Sequence, residues 1–537
     1  MKLVTSVAAF VTILFFTSAC GPQVPAEGDI LIAGGTLFDG SQADSYKADI
    51  VIRGEKIVYV GKAREDIKNR CPAGRVIDAE GYVVCPGFID PHDHLESLLG
   101  NPETSGNEPY LRMGVTTVIP GMCGGSSFPI KDFFAKLETQ GTGTNVASFT
   151  GHNDLRRQVM GSEARFATDE EIAQMQELLR EDMREGSLGL STGLYYVPGC
   201  FSETREVEAL AKAMAPLGGI YTTHVRNENK EGLGLIGSIR EALEIGRVGG
   251  VQVNISHIKC LGRSVWHRSD SVINLIESYQ NQGMKVTADQ YPYLASGLAM
   301  SSALTPAWSR DGGMKGFRSH LDNPDFLARL RAEIPDLIYE RGGAETIFIS
   351  RGAGEYDKMT LAEAAHRMHL SPVEAVITLL KDRSPQLNTF IANEEDLVNY
   401  MKQPWVMSCT DGSFGSHPRA AGTYAELIQK YVVEKDVLTL ARFIRRSTGQ
   451  VADTYRLPNR GYIRKGCQAD ITIFKPEEVR ANATYANPTE LATGFKNVIV
   501  NGTVAVENDE YLGVLAGQVI RREVTRKQLK RSIEKRL

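Results

Sequence analysis

The apolar positions along the chain fall into three regimes. Residues 30–84 alternate short β-rich runs with turns, as in "ILIAGGTLFDG", "DIVIRGEKIVYVG" and "RVIDAEGYVV", and carry no helical period. Residues 469–512 repeat that pattern in "ADITIF" and "VIVNGTVAVENDEYL". Neither segment is long enough to bury a core alone. The two chain ends are therefore expected to combine into one β-sandwich, from residues 29–82 and 456–520.

Between them, over residues 83–455, apolar β-branched runs alternate with amphipathic stretches. Strands are expected at Val83–Asp90, Thr116–Gly121, Asn145–Thr150, Leu188–Thr192, Ile220–His224, Val251–His257, Lys285–Asp289 and Val406–Thr410. Helices are expected at Asp169–Arg184, Glu203–Ala215, Leu235–Val248 and Val272–Asn281. Strands and helices in this alternation predict an α/β protein with a (β/α)8 TIM-like barrel. The gap between the seventh and eighth strands is long. Residues from about 297 to 355, with "TPAW" and "RDGGMKG", read as an insertion over the barrel mouth.

The N-terminus differs from everything after it. Met1-Lys2 precedes an apolar and small run from Leu3 to Ala19, then Cys20. This is the pattern of an export signal over residues 1–20, with a tether over 21–28, and it is short for a membrane span. "TSAC" resembles a bacterial lipoprotein signal, which implies a periplasmic protein held to a membrane by a lipid on Cys20. Thr17 stands where that signal usually has leucine, and plain secretion with cleavage near Ala19 is the alternative. The basic tail 521–537 reads as a solvated helix, with contact to anionic lipid as a second reading. A formal net charge of −5 gives no case for nucleic acid as a partner. The seven cysteines after the signal are scattered and lack CxxC pairs, so they do not form a disulfide framework.

Candidate chemistry collects at the ends of the expected barrel strands. The first ends in "GFIDPHDH", which puts His92 and His94 on one face, because side chains two apart share a face of a strand. The second ends in Cys123, the fifth in His224, the sixth in His257 and the eighth in Asp411. Any one of these alone reads as a core residue; together they occupy equivalent positions on different strands, where such barrels keep catalytic groups. Imidazole and thiolate are preferred ligands of Zn2+, which lowers the pKa of bound water to ~7. Asp411 would be the general base. The chemistry so implied is metal-assisted hydrolysis.

These residues, with the split sandwich, resemble the amidohydrolase superfamily. The ordered segments "PGFIDPHDH", "GMCGG", "STGLYYVPG", "THVRNE", "SHIK", "DQYPY" and "CTDGSFGSHPRAAGTY" resemble D-aminoacylases, the N-acyl-D-amino-acid deacylases, over nearly all of the chain after the signal. Many amidohydrolases bridge two metals with a lysine ending strand four; here "GLSTGLYY" has none. The resemblance implies one tight zinc on Cys123, His224 and His257. It implies a second site, of His92, His94 and Asp411, that binds metal weakly or not at all. It further implies that Lys259 contacts the substrate α-carboxylate, with Tyr195, Tyr291 and Ser296 in the same pocket. Arg419, just beyond Asp411 in "HPRAAGTY", is expected to orient the loop or to meet substrate. His152 reads as support for the site, and His417 as structural. The implied substrate is a small N-acyl-D-amino acid or a dipeptide with a C-terminal D-residue. A cyclic amidase, an L-dipeptidase and a non-catalytic peptide- or metal-binding lipoprotein are the alternatives.

Overall fold

Strands from both ends of the chain pair in one nine-stranded sheet. The computed structural model describes residues 29–61, 74–525 and 528; the signal and tether, Cys71 and most of the basic tail lie outside the described residues. Val83–Pro86 joins the two ends, running antiparallel to Ile471–Phe474 and parallel to Ile30–Leu37. Ile32, Ile50 and Ile77 from one end pack in one core with Ile471, Ile473 and Ile499 from the other, which is how two segments too short to fold alone share a core.

This joint corrects the expected first barrel strand. Val83–Asp90 is not one strand: Val83–Pro86 belongs to the sheet of the small domain, and the barrel begins at Phe88–Asp90. Gly87 makes the break. A Cβ there would lie 2.2 Å from Thr116 Oγ1, so only glycine lets the chain pass that close to the second strand.

The barrel strands run parallel in chain order. Phe88–Asp90 pairs with Val115–Val118, and that strand with Asn145–Val146. The third strand resumes at Thr150–Gly151 and pairs with Gly189–Gly193, followed by Ile220–His224, Gln252–Ile255, Val286–Gln290 and Val406–Ser408. The ring closes through the segments just past strands eight and one. Asp411 N–H donates to the His92 carbonyl at 2.8 Å, and His94 N–H to the Gly412 carbonyl at 2.9 Å. The Asp90 carboxylate accepts from Thr410 N–H at 3.0 Å. His92, His94 and Asp411 are thus brought together by the closure itself.

The four expected helices form within a few residues of their expected bounds. In Asp169–Arg184 the buried Ile172, Met175, Leu179 and Met183 recur at helical spacing. A capping box of Thr168 and Glu171 starts that helix.

The insertion is larger than the expected 297–355. It is a four-stranded antiparallel sheet of Ala295–Ala299, Ile347–Arg351, Met359–Thr360 and Gln386–Phe390, with helices including Pro324–Glu340 and Pro372–Leu380. Gln386–Phe390 pairs on one side with Ala295–Ala299 and on the other with Ile347–Arg351, so the unit is complete only when that late strand is in place. It has its own core, which includes Phe317, Leu330, Ile334, Ile347 and Leu387. Among the described residues no helix is long and apolar enough to cross a membrane.

Candidate active site

The thiol sulfur of Cys123 lies among three imidazoles. Sγ is 3.4 Å from His92 Nε2, 3.6 Å from His224 Nδ1 and 3.3 Å from His257 Nε2. The Zn–S and Zn–N bond lengths, at a tetrahedral angle, put sulfur and nitrogen about 3.5 Å apart. The donor set therefore fits a thiolate- and imidazole-ligated metal. Asp411 Oδ1 extends it, 3.3 Å from His92 Nε2 and 3.1 Å from His94 Nε2. One ligand atom each from His92, Cys123, His257 and Asp411 lie within 4.8 Å of one another. That set takes Cys123 and His257 from one expected ligand group and His92 and Asp411 from the other; His224 meets it through Cys123 Sγ and His94 through Asp411 Oδ1.

The backbone delivers these groups at a cost. Cys123, His257 and Asp411 have φ of 52°, 35° and 48°, the left-handed region that non-glycine residues rarely adopt. None lies within its strand: His257 follows Ile255 by two residues, Asp411 follows Ser408 by three, and Cys123 lies five past Val118, in the segment that leads on from the second strand. Such conformations persist where surrounding contacts over-determine them, and they concentrate at functional sites.

Two carboxylates absent from the sequence-based assignment hold the imidazoles. Asp289 Oδ1 is 3.0 Å from His92 Nδ1 and accepts from His257 N–H at 2.7 Å. It thereby turns His92 Nε2 toward Cys123. Glu228 Oε1 is 3.2 Å from His257 Nδ1 and 2.6 Å from Lys259 Nζ, and its Oε2 is 3.7 Å from His224 Nε2. Both lie within quoted segments, "DQYPY" and "THVRNE". A carboxylate at the end of strand seven and one four residues after His224 were the available signals.

Opposed effects set the charges. Burial would raise the Cys123 thiol, but the imidazoles of His257 and His92 hold it well below its ordinary value. Burial likewise opposes ionisation of Asp411, and the adjacent Arg419 with the imidazoles overcomes it. Arg419 donates to Asp411 Oδ2 at 2.6 Å, which leaves Oδ1 toward the histidines. Glu228 stays ionised against its burial because Lys259 and the two imidazoles face it.

A cavity of about 600 Å3 opens on this cluster. Every site residue expected from the sequence lines it except His92, which is fully buried. Lys259 Nζ reaches both Glu228 and His257 Nδ1, the latter at 2.9 Å. The Tyr291 ring lies between Lys259 and Arg419, whose cationic centres are 5.7 and 4.9 Å from its centroid. Tyr195 stacks on His224 with centroids 5.6 Å apart, and its hydroxyl donates to the Ser302 carbonyl at 2.7 Å. Tyr196, unassigned from the sequence, meets His224 edge-on at 4.7 Å. Ser296 Oγ bonds Thr389 Oγ1 at 2.8 Å across the insertion sheet. His417 is structural: Nε2 lies 3.1 Å from the Ala295 carbonyl and Nδ1 accepts from Arg419 N–H. His152 does not support the metal cluster. It starts the helix His152–Met160 and pairs at 2.7 Å with Glu206, a buried carboxylate that also binds Arg156.

The chain is similar to known proteins over nearly its whole length. Two models, each described as Amidohydrolase family, match residues 75–245 and 317–505. The chain is 30% identical to a D-aminoacylase from Alcaligenes xylosoxydans xylosoxydans over 522 residues, 92% of this chain and 98% of that protein. It superposes with a TM-score of 0.79, at 27% identity, on an N-acyl-D-glutamate deacylase from Bordetella bronchiseptica complexed with zinc and a phosphonate inhibitor; the match covers 93% of this chain and 100% of that one. A D-aminoacylase structure described by one-metal activation and second-metal attenuation of a binuclear centre gives a TM-score of 0.78, at 27% identity, covering 92% and 99%. With near-complete coverage on both sides, and with its thiol–imidazole cluster at the barrel mouth, the chain belongs to the D-aminoacylase family of amidohydrolase enzymes.

Proposed function

We propose that this enzyme hydrolyses the amide bond of N-acyl-D-amino acids, or of dipeptides ending in a D-residue, with one tightly held Zn2+ on Cys123, His224 and His257. The observation that carries the reading is the position of Cys123 Sγ, 3.6 Å from His224 Nδ1 and 3.3 Å from His257 Nε2. The names of the similar proteins support the substrate class, and the zinc in one of their structures supports the metal. When bound, zinc supplies a Lewis acid that polarises the scissile carbonyl and makes water acidic at neutral pH.

The chain's own residues do the rest. Lys259 and Tyr291 take the free carboxylate, so the amide is held over the cluster and the encounter becomes intramolecular. Asp411, kept ionised by Arg419, accepts a proton from the attacking water at Oδ1. The C–N bond breaks, and the same oxygen returns the proton to the departing nitrogen, leaving a carboxylic acid and a free D-amino acid. His92 and His94 flank Oδ1 and fix its direction. The N-terminal signal supports export to the periplasm with a lipid anchor on Cys20, where peptides of cell-wall turnover carry D-residues.

Purified protein of measured zinc content, offered N-acetyl-D-amino acids and their L-enantiomers, tests the reading. We expect turnover of the D-series with about one zinc per chain. Equal rates on both enantiomers, or turnover confined to cyclic amides, would overturn it.

A further inference from the structure

Two buried arginines of the insertion line the active-site cavity without a carboxylate partner among the described residues. Arg310, which ends the short turn Ala307–Arg310, is only 6% exposed, and its Nε has no hydrogen-bond partner. Arg341, 5% exposed, meets only neutral acceptors: the Ala303 carbonyl at 3.0 Å, Thr389 Oγ1 at 3.3 Å and the Tyr195 hydroxyl at 3.0 Å. The other cations of the cavity wall are each paired, Lys259 with Glu228, Arg419 with Asp411, and Arg157 with Asp154. The wall therefore carries positive charge that the protein itself leaves uncompensated.

A guanidinium withdrawn from water without a counter-ion is costly, and its planar fork matches a carboxylate. Arg310 is also held in position. The next two residues tie the turn to the loop at 162–164: Gly312 N–H donates to the Ser162 carbonyl at 3.1 Å, and Asp311 Oδ1 accepts from Ala164 N–H at 2.7 Å. Lys259 and Tyr291, beside the metal-ligand cluster, already account for one substrate carboxylate.

We infer that Arg310 is the receptor for a second carboxylate on the substrate, so that the enzyme prefers dianionic amides. Arg341 adds positive charge to the same cavity while it positions Tyr195. This rests on the amide-hydrolysis reading above and names its substrate class more narrowly. The second carboxylate can come from the side chain of the D-residue or from the far end of the acyl group, and both sources present the same chemistry to Arg310.

Two substrate pairs separate the sources. N-acetyl-D-glutamate against N-acetyl-D-glutamine places the charge on the side chain; N-succinyl-D-alanine against its monoamide places it on the acyl group. In wild type we expect one pair to favour the dianion by at least about tenfold in kcat/KM. In Arg310→Gln that ratio should fall about 10- to 100-fold, and Arg310→Lys should restore part of it. Ratios near one in wild type, or an unchanged ratio in Arg310→Gln, would overturn the inference. If Arg310→Gln does not fold, the wild-type ratios and Arg310→Lys decide the matter. If no linear amide is turned over, the reaction reading fails, and calorimetry with glutarate and its monoamide on the zinc-loaded protein decides the anion site separately. Binding of glutarate that is lost in Arg310→Gln supports the site; equal or absent binding removes it.

Discussion

Asp411 and Arg419 form a buried pair in which each oxygen of the carboxylate has a separate duty. Oδ2 accepts from Arg419 Nη1 at 2.6 Å, and Oδ1 lies 3.1 Å from His94 Nε2. An amide in place of the carboxylate would keep the shape and lose the proton acceptor. Asp411→Asn is expected to lower kcat by about 10²- to 10⁴-fold while zinc content stays near that of wild type. Retained turnover would remove Asp411 from the role of base; lost zinc would make it a required ligand.

Glu228 is expected to matter as much as a residue that touches substrate. It contacts Lys259 and His257 Nδ1, so its removal leaves a buried ammonium unpaired and frees the imidazole ring. Glu228→Ala should weaken zinc binding or kcat/KM by about 10- to 100-fold. Zinc titration against a competing chelator, read beside kinetics, distinguishes the two losses. Wild-type behaviour in both would show that the ring is held by other contacts.

The ligands were legible because they stand near the ends of apolar strands: His92 and His94 by their alternate spacing, Cys123, His224 and His257 as scarce residue types recurring on different strands, and Asp411 by the same placement. Glu228 and Asp289 were not: Glu228 lies in a loop four residues past His224, Asp289 ends the apolar strand Val286–Gln290, and the partners of each are known only once the strands are side by side. Arg310 and Arg341 were hidden for a related reason. They lie in the insertion, which meets the barrel mouth through contacts far apart in sequence, such as Arg341 to Tyr195. The first strand differs because Val83–Ile89 is apolar throughout; Pro86-Gly87 marks a turn within it, and the closeness of Gly87 to Thr116 shows why one sheet ends there and another begins.

That closeness yields a prediction about the fold. Gly87→Ala would press a methyl group against the buried Thr116 side chain, with three of its atoms within 2.8 Å of the new Cβ. The chain cannot yield there without parting two barrel strands. Denaturant unfolding should show a loss of about 1–3 kcal/mol. A neutral result would mean that the strands shift freely at this joint.

Asp182 offers a test through pH. It accepts from Ile130 N–H at 3.1 Å and from Thr150 Oγ1 at 3.0 Å, and burial pushes its carboxyl up to about 6 from an ordinary 3.8. Because the folded value is the higher one, its protonated form favours the folded state below about pH 4, and that contribution is lost as pH rises through about 6. Asp182→Asn should therefore gain on wild type between pH 4 and 7, by up to about 3 kcal/mol. Denaturant midpoints of the two proteins across that range measure the difference; a gap that does not widen with pH contradicts the assignment.

Sulfur ligation at the barrel mouth is what the proposed chemistry needs most. Zinc K-edge X-ray absorption on the stoichiometrically loaded enzyme reads it directly. We predict one sulfur scatterer at about 2.3 Å with nitrogen neighbours at about 2.0–2.1 Å, and loss of the sulfur shell in Cys123→Ser. A shell of nitrogen and oxygen alone in the wild-type protein would contradict it.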